Sequence, residues 1–291
     1  MGHKETNDAS EETDNAQQDR FWNGPAGQFW VTSQEETERH TGPFGDAALH
    51  AGAASPGERA LDVGCGCGTT SLALARSVGA TGDVVGVDLS AIMLERAMES
   101  AAAARLTNVS FRRLDAQSAQ LGSHVYDLVF SRFGVMFFAD PTAAFTNLRA
   151  SLRPGGRLAF ACWQAPSANP WMALPTRAAM QFFDLTAPPH DAPGPFSLAD
   201  PDRLRGVLTD AEFNDVQINP EIQTLKLALG HKIDDWVNER LLMGLVGENY
   251  ANSSAEIQSQ ARQLLISTVE PYRVEDGLEM DGAAWIVTAR A

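Results

Sequence analysis

The sequence predicts an α/β chain built on a doubly wound parallel sheet with helices on both faces. Three observations predict it. Between residues 59 and 163, five short apolar segments alternate with segments of helical spacing. The first apolar segment runs straight into the glycine loop Gly64-Cys65-Gly66-Cys67-Gly68. The second and third each end on an acid, Asp88 and Asp115.

The strands are expected at Arg59–Val63, Asp83–Asp88, Val109–Leu114, Asp127–Ser131 and Arg157–Trp163. Helices fall between them: Thr69–Ser77, then Ala91 to about Arg105 with Ser90 as its cap, then Pro141–Leu152 opened by a proline. Arg153-Pro154-Gly155-Gly156 breaks the last of these. Ahead of the first strand, composition favours helices over Gln28–His40 and Pro43–Gly52. Beyond Trp163, the proline-rich stretch 164–202 is expected to be a loop-rich cover with one helix, Met172–Leu185. Helices are expected over Asp200–Thr209, 232–247 and 254–269, with strands at Val216–Ile218 and Trp285–Ala289.

Length and charge bound the function. The chain has 291 residues, enough to bury a sizeable core, and a formal net charge of −15. So acidic a chain is unsuited to phosphate-driven nucleic-acid binding or to an anionic membrane surface. No apolar run is long enough to span a bilayer, and the N-terminus lacks a basic-then-apolar leader, so the cytoplasm is the expected compartment. Residues 1–19 hold six acids against Lys4 and no large apolar residue after Met1, so they are expected to be a disordered acidic tail. Three cysteines exclude a disulfide framework. Cys65 and Cys67 are spaced C-x-C without a His or Cys cluster beside them, and no metal site is expected.

The glycine loop carries the chemistry. Alternate glycines after a strand let the backbone turn sharply and approach a ligand closely. A dinucleotide loop would carry a third glycine at position 69, where Thr69 stands. Asp62, just before the loop, would repel a pyrophosphate and tolerate an ammonium or a sulfonium, which favours S-adenosylmethionine over a nicotinamide dinucleotide. Asp88 can accept the hydroxyl hydrogens of a ribose, and Asp115 can hold an adenine amino group.

These residues resemble those of class I S-adenosylmethionine-dependent methyltransferases, closest in pattern to the methyltransferase type 11 and ubiquinone/menaquinone-biosynthesis groups. The matching stretches are Leu61–Thr69, Gly86–Ser90 with Met93-Leu94, Leu114-Asp115-Ala116, Tyr126–Val129 with Phe133, and Leu152–Gly156. The resemblance implies a Rossmann-like sheet of seven strands, mostly parallel, whose last strand is antiparallel. It implies a methyltransferase domain over 58–291, with 164–202 and a helical insertion at 220–280 covering the substrate, and residues 20–57 as an N-terminal helical lid. It also implies S-adenosyl-L-methionine as cofactor, S-adenosyl-L-homocysteine as product, and a small-molecule acceptor. Carried over by position, Asp62, Gly64, Cys65, Gly66 and Gly68 would face the methionine moiety. Asp88 would hold the ribose, with Leu89 and Met93 beside the adenine and Asp115 and Ala116 at its edge. Ser131, Arg132 and Phe133 would line the floor near the sulfonium.

On the acceptor side, His40 is a candidate base or else a surface or packing residue, and Arg132 a candidate partner for a substrate carboxylate or else for an acid of the protein itself. Trp22, Trp30, Met136, Phe137, Trp163 and Trp171 are candidate pocket walls, although core packing is the simpler role for each. Two alternatives stay open: a protein that binds S-adenosylmethionine without transferring the methyl, and a nicotinamide-dependent oxidoreductase.

Overall fold

A computed structural model of the chain describes residues 15–184, 189, 192–230, 232–243 and 246–291. Its centre is a single sheet ordered β3-β2-β1-β4-β5-β8-β6. The strands are β1 (Arg59–Val63), β2 (Asp83–Asp88), β3 (Val109–Arg113), β4 (Tyr126–Arg132), β5 (Leu152–Trp163), β6 (Asn214–Leu227), the two-residue β7 (Arg273–Val274) and β8 (Gly277–Arg290). The pairs from β3 through β5 are parallel, while β8 runs antiparallel to both β5 and β6. The seven-stranded path with one antiparallel strand is the predicted architecture; β7 adds a short pairing to β8 outside it.

The inter-strand helices start where capping chemistry places them. Helix α4 spans Thr69–Val78, and α5 spans Ala91–Ala103. The Ser90 hydroxyl caps α5 by accepting from the Met93 N–H. Helix α6 (Pro141–Ser151) opens on a proline after Asp140, whose carboxylate accepts from the Ala143 N–H. Helix α8 (Pro201–Asp210) repeats that device with Asp200. Between them lies α7 (Pro170–Ala179), shorter at its C-terminal end than the expected Met172–Leu185, whose last residue lies outside the described residues.

The N-terminal segment differs most from expectation. Disorder was expected over 1–19; residues 1–14 lie outside the described residues, but 16–19 open helix α1 (Ala16–Trp22). Contacts with the body supply what local composition lacks: Asn15 is buried, and Asp19 pairs with Arg113 at 2.9 Å. Helix α2 covers Pro25–Thr32, and α3 runs unbroken from Gln34 to Gly52. The break predicted at Pro43 does not occur. The proline removes one helical hydrogen bond, but the face bearing His40, Phe44, Ala48 and Gly52 is buried against the sheet. A Cβ on Gly52 would already be 3.2 Å from the Ala159 Cβ. The end of α3 is tied down by Arg157, which donates to the carbonyls of Gly52 and Ala53 and to the Glu58 carboxylate.

Two expectations at the C-terminal end also change. Residues 220–227, expected within a helical insertion, belong to β6, where Leu225 and Leu227 alternate inward. Pro220 is tolerated because β6 is an edge strand. The helices begin later: α9 (Ile233–Leu241) and α10 (Gly247–Ala251), where one helix over 232–247 was expected, then α11 (Ala255–Val269). Among the described residues, no helix is long and apolar enough to cross a membrane.

Phe44 fixes α3 on the sheet, packing edge-on against Phe133 and Trp163 with full burial. Truncating it as Phe44→Ala should lower the unfolding free energy by about 3–5 kcal/mol in denaturant titration. A loss well under about 1 kcal/mol would mean that α3 is not docked as described.

Candidate functional site

The site lies at the C-terminal ends of β1, β2 and β4, where a doubly wound sheet opens a crevice. Gly64, Gly66 and Gly68 all adopt positive φ (64°, 53° and 85°). A Cβ on Gly64 would lie 2.7 Å from the Gly134 Cα, so the loops after β1 and β4 touch backbone to backbone. A Cβ on Gly66 would press on Met93, and one on Gly68 on Ala97, so α5 packs directly beneath the loop.

Asp88 staples this turn. One carboxylate oxygen accepts from the Gly66 N–H and the other from the Ser90 N–H, both at 2.8 Å. Burial raises its pKa, and those backbone donors work against the rise. A carboxylate offers about four lone-pair sites; the backbone N–H groups of Gly66, Ser90 and Leu89 use three, so one direction remains for a ligand hydroxyl.

Asp62 is fully buried. Its Oδ2 accepts from the hydroxyls of Thr70 (2.8 Å) and Ser71 (2.6 Å) in the first turns of α4. Burial pushes its pKa up to about 6, opposed by those hydroxyls and by the charge of Arg132. Its Oδ1 is buried without a hydrogen-bond partner among the described residues. An S-adenosylmethionine zwitterion fits this donor set: the leftover Asp62 oxygen suits an ammonium, and the open direction on Asp88 suits a ribose hydroxyl.

Asp115 behaves differently from expectation. The Asn15 amide donates to both of its oxygens at 2.9 and 3.0 Å, while the Gln117 N–H and the Ser118 hydroxyl take one oxygen each. Its lone pairs are therefore filled, and it reaches an adenine amine only if Asn15 leaves. Asn15, Asp19, Leu89, Arg113, Leu114 and Asp115 line a cavity of about 300 Å³ at this end. Ala116 is buried, and its carbonyl accepts from Asn147. Asn23 straps the same end, donating to the Leu89 carbonyl and accepting from the Ala91 N–H. Neither asparagine was expected as a site residue; Asn15 lay in the segment expected to be disordered, and Asn23 belongs to the stretch Trp22–Gly27, which resembles one bacterial branch of these methyltransferases without assigning Asn23 a role.

The floor residues are also engaged within the protein. The Ser131 hydroxyl donates to the Val63 carbonyl at 2.7 Å, joining β4 to β1. Arg132 makes a two-pronged pair with Glu38 of α3. Phe133 takes the left-handed conformation (φ 63°), which costs a non-glycine residue about 1–2 kcal/mol. Its ring stacks on Trp163 at 3.9 Å between centroids.

The expected pocket walls fall into two groups. Trp22 packs edge-on against Trp30 and Phe137. Trp22 is also tied to α5, since its carbonyl accepts from the Ser90 hydroxyl. Trp163 packs edge-on against Trp171, and the backbone N–H of Trp163 donates to the Met136 sulfur. The His40 ring lies 6.1 Å from that of Trp171, and its Nε2 faces the Lys226 carbonyl at 3.2 Å. Burial lowers the His40 pKa. Burial also keeps the Cys65 and Cys67 thiols protonated, pushing Cys67 up to about 11.

Comparison with known proteins agrees with this geometry. A family described as a methyltransferase domain matches residues 60–156. Aklanonic acid methyltransferase DauC of Streptomyces sp. strain C5 is 36% identical over 104 residues, covering 36% of this chain and 47% of the relative. Demethylmenaquinone methyltransferase of Staphylococcus aureus is 37% identical over 100 residues, covering 34% of this chain and 41% of the relative. These matches span less than half of each relative's length. The crystal structure of the YcgJ protein from Bacillus subtilis shares the fold, with a TM-score of 0.57 and 16% identity over 84% of this chain and 97% of that one. Residues 60–156 are thus similar to a methyltransferase domain.

Proposed function

We propose that the protein transfers a methyl group from S-adenosylmethionine to a small-molecule acceptor. The observation that carries this reading is the glycine turn held open by Asp88, whose carboxylate keeps an acceptor direction beyond its backbone donors. When bound, the cofactor supplies an electrophilic methyl on a sulfonium, which an acceptor displaces in line to leave S-adenosylhomocysteine. The chain's own work is binding and orientation, worth about 7–11 kcal/mol of barrier in favourable cases. Asp88 would hold a ribose hydroxyl and Asp62 the ammonium, while the backbone from Gly64 to Gly68 lies against the methionine end. Leu89 and Met93 would border the adenine.

For the acceptor, two features support a small, largely apolar molecule. The described residues gather aromatic rings into packed sets, Trp22 with Trp30 and Phe133 with Trp163. The matched relatives are named for aklanonic acid and demethylmenaquinone. Where the acceptor carries a proton, we assign the base to His40. Its Nε2 faces the Lys226 carbonyl and so bears the hydrogen, which leaves Nδ1 as the basic nitrogen. The lowered pKa keeps the ring neutral at pH 7.

Two measurements test the cofactor assignment. Calorimetric titration of Asp88→Ala with S-adenosylhomocysteine should show binding weakened by about 3 kcal/mol, since bonds to a charged group contribute roughly 1.5–3 kcal/mol each. Unchanged affinity would remove Asp88 from the ribose. The second is a pH series. An ammonium favours the ionised form of Asp62, whose carboxyl titrates at about 6 in the free protein. Affinity for S-adenosylhomocysteine should therefore be full above pH 6 and fall by up to about tenfold per pH unit below it, as binding must expel the carboxyl proton. In Asp62→Asn this acid-side fall should disappear, and its persistence would assign the effect to another group.

A further inference from the structure

We propose that Arg132, anchored by Glu38, takes the α-carboxylate at the amino-acid end of the cofactor; this rests on the S-adenosylmethionine reading of the site. Arg132 closes β4 at the same sheet end from which the glycine loop departs. Glu38 accepts one hydrogen from each terminal nitrogen of the guanidinium. Arginine has five N–H donors in a fixed fork, so three remain, and among the described residues Glu38 alone bonds this group. The stem is aimed by contact. A Cβ on Gly45 would lie 2.6 Å from the Arg132 Cδ, so the side chain lies directly on the backbone of α3.

The pair is tied to the loop it would serve. Glu38 also bonds Thr69, the first residue of α4. Thr69 in turn accepts from the Gln34 amide. The charge of Arg132 reaches Asp62 and favours its ionised form. A cation and a carboxylate thus stand at one end of the glycine turn, which is the charge pattern complementary to an amino-acid zwitterion. Stability is a weak account of the pair. Its side chains are only 13% and 26% exposed, and ion pairs this buried contribute little over apolar replacements. Two further arginines near the crevice are engaged elsewhere: Arg113 sits at the nucleoside end, bonded to Asp19 and the Leu89 carbonyl, and Arg96 is bonded to Gln34 and Glu99.

The test compares two ligands by calorimetry on the full chain. S-adenosylhomocysteine carries the aminocarboxylate, whereas 5′-methylthioadenosine presents the same nucleoside thioether without it. Arg132→Met keeps the stem on Gly45 and removes the charge. Its affinity for S-adenosylhomocysteine should fall roughly tenfold to a hundredfold, with methylthioadenosine binding changed by less than about twofold. Arg132→Lys keeps the charge without the fork and should show a smaller loss confined to S-adenosylhomocysteine. Unchanged S-adenosylhomocysteine binding in Arg132→Met overturns the assignment. So does a loss shared equally by both ligands in Arg132→Lys, the variant that decides the matter if Arg132→Met is too unstable to read. Wild-type protein that binds neither ligand overturns the cofactor reading itself, and the role of Arg132 with it; the two failures are therefore distinct.

Discussion

One carboxylate organises the crevice. Three glycines at positive φ make a turn that an unfolded chain would leave at once for other conformations. The N–H of Gly66 is fixed by Asp88, which also holds the N–H of Ser90 at the start of α5. The ends of β1 and β2 are thereby set against one another before any ligand arrives. The backbone contact of Gly64 with Gly134 adds β4 to the group. A ribose meeting Asp88 would find an acceptor whose position is already settled, so little ordering would remain to oppose binding.

The second layer comes from the N-terminal helices. Asn15, Asn23 and the Trp22 carbonyl fasten α1 to the loop after β2 and to Asp115. An amide N–H₂ and an adenine amine offer the same kind of donor, so Asn15 occupies Asp115 with the chemistry expected of the nucleoside. The segment expected to be a lid is thus bonded to Asp115 and to the loop after β2 through named polar groups, so an adenine at Asp115 would depend on the position of α1.

Legibility follows sequence distance. The strand, glycine turn and helix from Arg59 to Val78 are legible because each depends on neighbours a few residues away. Asp88 is legible for the same reason: it ends a strand that must lie beside β1. Four features escape: the unbroken α3 across Pro43, the ordering of residues 16–19, the filling of Asp115 and the partner of Arg132. Each depends on a contact made across long stretches of chain. Asn15 meets Asp115 100 residues away, and Glu38 meets Arg132 94 residues away. No local pattern encodes such meetings. The extension of β6 through residue 227 is intermediate, since the inward Leu225 and Leu227 alternate along the strand, but its pairing with β8 is what keeps Pro220 within a strand.

That contrast divides the site by chemistry as well. The proposed cofactor half would rest largely on backbone, on N–H groups and positive-φ glycines, with strand-end acids whose spacing is local. The proposed acceptor half would be built from side chains delivered by separate elements: His40 from α3, Phe133 after β4, Trp163 at the end of β5 and Trp171 from α7. Phe133 shows how these are locked together. Its backbone holds a conformation costing about 1–2 kcal/mol, and the stack on Trp163 with the edge of Phe44 keeps it there. Replacing any one of these rings would shift the others, because packed aromatic neighbours move as a set. Backbone-built recognition tolerates change in the surrounding side chains, whereas side-chain-built recognition changes with every substitution. The acceptor is therefore the half of the reaction that a few substitutions could redirect while the glycine turn stays intact.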